Sequence, residues 1–179
     1  MNAGNDKAAA ADRFGAVAQR FCSVVDSAST TDRTGLLLEI YRVLPELIGE
    51  AIRLPAIELS GNDDQAEPAG RPGPPKSLRQ RHQQWEHLYN LLKEKLGDWN
   101  LYWQVFDPTK DKEAIYGSLA DDIADIYGDL KKGHDLKEKH QAMPENAIWM
   151  WRFSFHSHWG KHAIEALGVI HCRLEDVLA

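Results

Sequence analysis

Three histidines lie close together in the segment WRFSFHSHWGKHA, residues 151–163: His156, His158 and His162. His158 and His162 are four residues apart, so both imidazoles leave the same face of a helix, as two ligands of one metal ion would. Trp159 follows His158 at the place where zinc proteases of the HExxH type carry glutamate, so that activity is not indicated. Helical geometry sends His156 to nearly the opposite side, and the segment therefore predicts two cooperating histidines rather than three.

A second group of chemically capable residues lies in SLADDIADIYGDLKKGHDL, residues 118–136. On a helix, Asp122, Asp125 and Asp129 form a narrow stripe beside the apolar face. Ser118 and Asp121 fit a capping box, in which acids near the helix start interact favourably with its dipole. Two interpretations stay open for the stripe: solvated acids, or partners of groups on another helix.

Two histidines combined with aspartates of a facing helix would make a site for zinc, iron or manganese. The candidate ligands are His158, His162, Asp122 and Asp125, and a divalent metal is the cofactor that this pattern suggests. The alternative is a set of half-buried histidines that form hydrogen bonds with acids and hold no metal. A further alternative is a magnesium site for nucleotides at Asp122 and Asp125, loosely like all-α pyrophosphohydrolases, facing a helix that bears Glu46 and Glu50.

Arg152 lies on the C-terminal helix that carries His158 and His162, within the apolar part of its circumference. A buried guanidinium requires a partner, so we expect an ion pair with Asp122 or Asp125. The sequence thus predicts one buried polar network. Its members are Arg152, Asp122, Asp125, Asp129, His158 and His162.

The composition excludes several classes of protein. The formal net charge is −6, from 27 acidic and 21 basic residues, and no basic face for nucleic acid is evident. No apolar run approaches the roughly 20 residues that cross a bilayer, and the start of the chain does not resemble a signal peptide, so we expect a cytoplasmic protein without a membrane partner. The two cysteines, Cys22 and Cys172, are expected to be buried free thiols.

The hydrophobic periodicity predicts an all-α, bundle-like single domain of about five helices over residues 9–179, after a flexible N-terminus at 1–8. Pro45 is expected to kink or split the second helix near Leu44. The Pro/Gly-rich residues 60–76 are expected to form a flexible loop, and WNLYWQVFDP, residues 99–108, an extended connector. The fifth helix, from about Pro144 to the end, is apolar over most of its circumference and is expected to be central.

Four segments carry a resemblance to a known family: LPELIGEAIRLPAIELS, YWQVFDP, SLADDIADIYGDLKKG and WMWRFSFHSHWGKHAIEAL. Together they resemble the bacterial family called domain of unknown function family 5063. The resemblance implies a compact helical domain in bacteria, and it implies no reaction or site residue.

Because no phosphate-binding loop or nucleophile motif is present in the sequence, the leading hypothesis is a binding or adaptor module with a protein partner and a buried Arg/Asp/His network. The metal-dependent enzyme and the magnesium-dependent nucleotide hydrolase stand as its alternatives.

Overall fold

A computed structural model describes residues 3–57, 75–139 and 144–179. Within these ranges the chain forms seven α-helices, one π-helix and one small sheet. They are α1 (Ala3–Asp26), α2 (Arg33–Arg53), α3 (Pro75–Leu96), β1 (Leu101–Gln104), β2 (Ile115–Ser118), α4 (Leu119–Lys139), α5 (Pro144–Ser154), the π-helix (Phe155–Trp159), α6 (Gly160–Arg173) and α7 (Glu175–Leu178). The predicted all-α, bundle-like class is confirmed, apart from this single hairpin.

The hairpin contains the connector that the sequence predicted to be extended. β1 and β2 are antiparallel, with Leu101 opposite Ser118 and Gln104 opposite Ile115. Two short strands give no recurring alternation in the sequence, so the prediction of a chain without a sheet missed them. The hairpin leads directly into α4 and therefore fixes where that helix begins.

Several helix boundaries differ from those predicted. α1 already begins at Ala3, inside the segment predicted to be flexible. α2 continues through Pro45 without being split at Leu44. α3 begins at Pro75, and the rest of the predicted loop at 60–76 lies outside the described residues. α3 ends at Leu96, because Gly97 adopts a positive φ of 54° that favours glycine.

One hydrophobic core joins α1, α2, α3, α4 and the C-terminal segment. Its fully buried large side chains include Phe14, Phe21, Leu36, Ile40, Leu44, Leu47, Leu92, Leu96, Leu119, Trp151 and Trp159. α4 contacts α1, α3, α5 and α6. The C-terminal segment, which the sequence predicts to be central, packs on α1, α2 and α4 but leaves Phe153 and Ile164 exposed on its outer face. The centre is therefore shared between α4 and one face of this segment.

The predicted fifth helix is not a single α-helix. A π-helix interrupts it at Phe155–Trp159, and Gly160 donates its backbone N–H to the carbonyl oxygen of Phe155, five residues earlier. A Cβ atom at position 160 would overlap that carbonyl oxygen and the Phe155 ring, so the wide turn requires glycine here. π-helical turns within α-helices occur frequently at functional sites.

The two cysteines are free, as predicted, but only Cys22 is buried, whereas Cys172 is exposed. Burial raises the pKa of the Cys22 thiol to about 12. The expectation of a second buried thiol was wrong because position 172 lies on the outer face of α6. None of the described helices is long and apolar enough to cross a membrane.

Candidate metal centre

The start of α4 is held by Asn100, which precedes the hairpin, and by Ser118, the last residue of β2. Asn100 is buried and accepts two hydrogen bonds from the first turn of the helix: its carbonyl oxygen from Leu119 N–H at 2.8 Å and its Oδ1 from Ala120 N–H at 2.9 Å. The Asp121 N–H is directed at Ser118 Oγ at 3.4 Å. These contacts occupy amides that a helix start otherwise leaves without partners and fix the rotation of α4.

That rotation turns the aspartate stripe toward the π-helix and α6. Asp122 and Asp129 are buried, and Asp125 between them is half-buried. Each buried aspartate meets one histidine: Asp129 Oδ2 lies 2.9 Å from His158 Nδ1, and Asp122 Oδ1 lies 2.7 Å from His162 Nδ1. The two imidazoles lie side by side, with ring centroids 5.0 Å apart.

The other ring nitrogens converge on the third aspartate. His158 Nε2 and His162 Nε2 each lie 3.6 Å from Asp125 Oδ2. The remaining oxygen, Asp125 Oδ1, accepts a 2.8 Å hydrogen bond from Trp85 Nε1–H of α3. Asp125 therefore presents one oxygen to the histidines, and the three ligand atoms lie within 4.8 Å of one another.

Asp122 has a second partner on the hairpin, since Tyr102 donates its hydroxyl to Asp122 Oδ2 at 2.7 Å. A Cβ atom at the cross-strand position 117 would lie 2.5 Å from the Tyr102 ring, so Gly117 gives the ring its path to Asp122. Burial and the adjacent Asp122 raise the pKa of the Tyr102 hydroxyl, which keeps it a donor. The hydrogen bond that His162 donates to Asp122 raises the pKa of this imidazole.

Two further carboxylates adjoin this group. Glu165 lies one turn after His162, with Lys161 Nζ 3.6 Å from its Oε1. In the amide orientation that satisfies both side chains, Gln104 donates to both Glu165 oxygens at 2.8 and 2.9 Å. Asp121 lies one turn before Asp125, and burial, Asp125 and Asp122 raise its pKa. Burial likewise raises the pKa of Glu165.

The structure thus brings together five of the six residues of the predicted network, namely Asp122, Asp125, Asp129, His158 and His162. Arg152 is not among them. It is half-buried and donates to the carbonyl oxygen of Leu54 at 2.8 Å, so the predicted ion pair with Asp122 or Asp125 was wrong. The π-helix explains the error, because an extra residue in the turn rotates Arg152 by about 100° relative to His158 and His162.

His156 and two glutamates of α2 lie apart from this group. His156 is exposed and lies edge-on to Phe155, apart from His158 and His162. Glu46 and Glu50, which were expected to face the aspartates, are engaged by arginines: Glu46 by Arg20 at 2.6 Å and Glu50 by Arg53 at 2.9 Å. These ion pairs neutralise the two glutamates that the nucleotide hydrolase hypothesis places opposite the aspartates, and that hypothesis stays a prediction.

Sequence reasoning missed Trp85, Tyr102, Asp121 and Glu165. Glu165 follows His162 by three residues and Asp121 precedes Asp125 by four, which are spacings that place side chains on one helix face and could have indicated both. Trp85 and Tyr102 reach the site from other elements, 40 and 20 residues before their aspartates, and carry no local signal.

Comparisons with known proteins agree with this fold. A family model described as "Domain of unknown function (DUF5063)" matches residues 5–175. The chain belongs to this family. It is also similar to the crystal structure of protein BF1032 from Bacteroides fragilis, with a TM-score of 0.68 and 20% sequence identity over 89% of this chain and 88% of that one. No curated protein matches the chain. At this identity the structural similarity shows the fold alone, so function in this member of the family has to be argued from its own residues.

Proposed function

We propose that this protein binds one divalent transition metal ion through Asp125 Oδ2, His158 Nε2 and His162 Nε2, and that the bound metal carries its function. Convergence of these three atoms within 4.8 Å of one another is the observation that supports the proposal most directly. Two imidazoles and one carboxylate suit zinc and ferrous iron, and three protein ligands leave coordination positions for water or a substrate.

The surroundings of the two histidines support the same conclusion. Histidines that ligate metals almost always donate the second ring N–H to a carboxylate, a carbonyl or water, which fixes the tautomer and the ring orientation. Here Asp129 holds His158 and Asp122 holds His162 through Nδ1, at 2.9 and 2.7 Å. With the protons on Nδ1, both Nε2 atoms have free lone pairs directed at the same space.

The accessibility of the group suits an open site. The side chain of His158 is 47% exposed, whereas those of His162 and Asp125 are each 21% exposed. A purely structural metal site is usually closed by four protein ligands, and catalytic sites keep one position for water or substrate. We therefore favour metal-dependent catalysis over a structural role for the ion.

Metal content of protein purified without a metal-affinity column tests the proposal. We expect about one equivalent of zinc, iron or manganese by elemental analysis, or uptake of one equivalent when Zn²⁺, Fe²⁺, Mn²⁺ or Co²⁺ is added. His162→Gln and Asp125→Asn should abolish stoichiometric binding. His156→Gln is the matched control, because this exposed histidine on the same π-helix is outside the group. Less than stoichiometric binding of every metal by the folded wild-type protein would refute the proposal.

A second candidate function is protein binding, as expected of an adaptor module. It is supported by five exposed apolar side chains on the hairpin and its loop, which are Leu101, Trp103, Phe106, Ile115 and Tyr116. Exposed apolar surface of this kind commonly marks interaction sites. Crosslinking in the native cell, with Trp103→Ser as the negative control, tests it: loss of a reproducible partner in the variant supports binding, and absence of any partner with the wild type contradicts it.

We propose the bacterial cytoplasm as the setting. The support is the bacterial origin of the structural neighbour. Fractionation of the native cell tests this localisation.

A further inference from the structure

Asp121 differs from the other carboxylates around the candidate metal centre. It precedes Asp125 by four residues, so it occupies the adjacent turn on the same face of α4, with Cβ atoms about 5–6 Å apart. The other four carboxylates each accept a hydrogen bond from a neighbouring side chain. They are Asp122, Asp125, Asp129 and Glu165. The Asp121 carboxylate has no such partner within the part of the chain that the structure describes, although it is half-buried.

The formal charge of the group is strongly negative. The five carboxylates are Asp121, Asp122, Asp125, Asp129 and Glu165. In the described ranges, the lysines in contact with them are Lys132, 2.6 Å from Asp129, and Lys161, 3.6 Å from Glu165. With neutral histidines, five negative and two positive charges leave −3, and one divalent ion would leave −1.

The features that usually attract an anion are engaged elsewhere. Backbone N–H groups at a helix start bind phosphate in many enzymes. At the start of α4, Leu119 and Ala120 donate to Asn100, and Asp121 N–H is directed at Ser118 Oγ. Arg152 is the arginine that most closely precedes the two histidines in the sequence. It donates to the carbonyl oxygen of Leu54 instead.

Resting on the metal proposal above, we infer that the open side of the metal centre accepts a neutral nitrogen ligand rather than a phosphate or carboxylate. We further infer that Asp121 determines this specificity. An N–H group of such a ligand supplies the donor that the Asp121 carboxylate lacks. An anion would instead meet an unpaired negative charge beside a group that remains negative after the metal binds.

Ligand binding to the Co²⁺-loaded protein tests this inference, because visible absorption of Co²⁺ reports exchange at its open positions. The probes are imidazole, a neutral nitrogen ligand, and inorganic phosphate. Three proteins are compared: wild type, Asp121→Asn and the control Asp135→Asn. Asp135 is exposed and lies on the same helix, about 21 Å from Asp121. Its replacement by asparagine changes the net charge by the same amount as Asp121→Asn.

We expect imidazole to alter the Co²⁺ spectrum of all three proteins. Phosphate should bind the wild type and Asp135→Asn weakly and Asp121→Asn about tenfold more tightly, because one nearby negative charge has been removed. Phosphate binding that is equal in the wild type and Asp121→Asn, or tighter than imidazole binding in the wild type, would overturn the inference while leaving metal binding intact. Failure of the folded wild type to take up Co²⁺ would instead overturn both proposals.

Discussion

Gly160 donates its backbone N–H to the carbonyl oxygen of Phe155 and so closes the π-helix that carries His156 and His158. This wide turn follows the buried Trp151 and ends at the buried Trp159, and it sets the rotation of α5 relative to α6. The histidines of the candidate metal centre therefore depend on a backbone feature that only a residue without Cβ permits.

Replacing this glycine tests the dependence. We expect Gly160→Ala to lower the free energy of unfolding by about 1–3 kcal/mol, the range for overpacking a core position, because the added methyl group overlaps the Phe155 carbonyl and ring. Urea denaturation measures the change. Gly168→Ala is the matched control on α6: nothing lies near its added Cβ, so helix propensity should stabilise the protein by up to about 1 kcal/mol. Equal effects of the two substitutions would contradict the proposed role of Gly160.

Much of the site follows from the helical period, and the rest depends on contacts that the period does not encode. The sequence spacing predicts the stripe of Asp122, Asp125 and Asp129, because these residues lie on one helix. It also predicts the shared face of His158 and His162, which are one turn apart. Arg152 was misplaced because a straight α-helix was assumed across the π-helix. The pattern of apolar residues does not reveal the extra residue of a π-helical turn. In the sequence, Gly160 is the residue that indicates it.

The hairpin illustrates a second limit. Its four-residue strands are too short to give a recognisable alternation, yet they deliver Tyr102 to Asp122. Trp85 reaches Asp125 only because α3 packs on α4. Such long-range partners are set by packing, for which the sequence offers no local pattern.

Trp85 is expected to act as a positioning residue for the proposed metal ligand Asp125. Its Nε1–H occupies Asp125 Oδ1, which leaves Oδ2 to face both histidines. Trp85→Phe preserves the stacking on Tyr89 but removes the donor, so we expect metal affinity to fall about 10–100-fold, as for other changes to groups that orient ligands. Competition with a chelator measures the affinity. Trp103→Phe, an exposed indole stacked on Tyr116, is the control and should not change it. Unchanged affinity in Trp85→Phe would contradict this role.

His134 should make the protein less stable in acid. Burial, together with Lys131 and Lys137, lowers its pKa below the ordinary value of 6.5, and its Nε2 is buried without a hydrogen-bond partner in the described chain. The unfolded chain therefore binds a proton at higher pH than the folded one. This contribution to stability is complete above pH 6.5 and is lost as pH falls from 6.5 through the lowered folded pKa.

The test compares the pH dependence of the unfolding free energy in the wild type and His134→Leu. As the pH is lowered from about 7 to about 5, where an ordinary histidine becomes protonated, the wild type should lose more unfolding free energy than His134→Leu. His82→Leu, which removes an exposed histidine of α3, is the control for the loss of an imidazole. Parallel curves for the wild type and His134→Leu would show that His134 does not titrate differently on folding.

The hydroxyl of Tyr102 is expected to stabilise the fold through Asp122. Both side chains are buried, and the hydroxyl donates to Asp122 Oδ2 at 2.7 Å while His162 contacts Oδ1. Tyr102→Phe leaves one oxygen of a buried carboxylate without its donor, which should lower the free energy of unfolding by about 1.5–3 kcal/mol, as for hydrogen bonds to charged groups. Tyr116→Phe removes the hydroxyl of an exposed ring on the neighbouring strand and should change stability by less than about 0.5 kcal/mol. If the two substitutions had equal effects in urea denaturation, Asp122 would not depend on Tyr102. A selective loss at Tyr102 would instead link the hairpin to the carboxylate that orients His162.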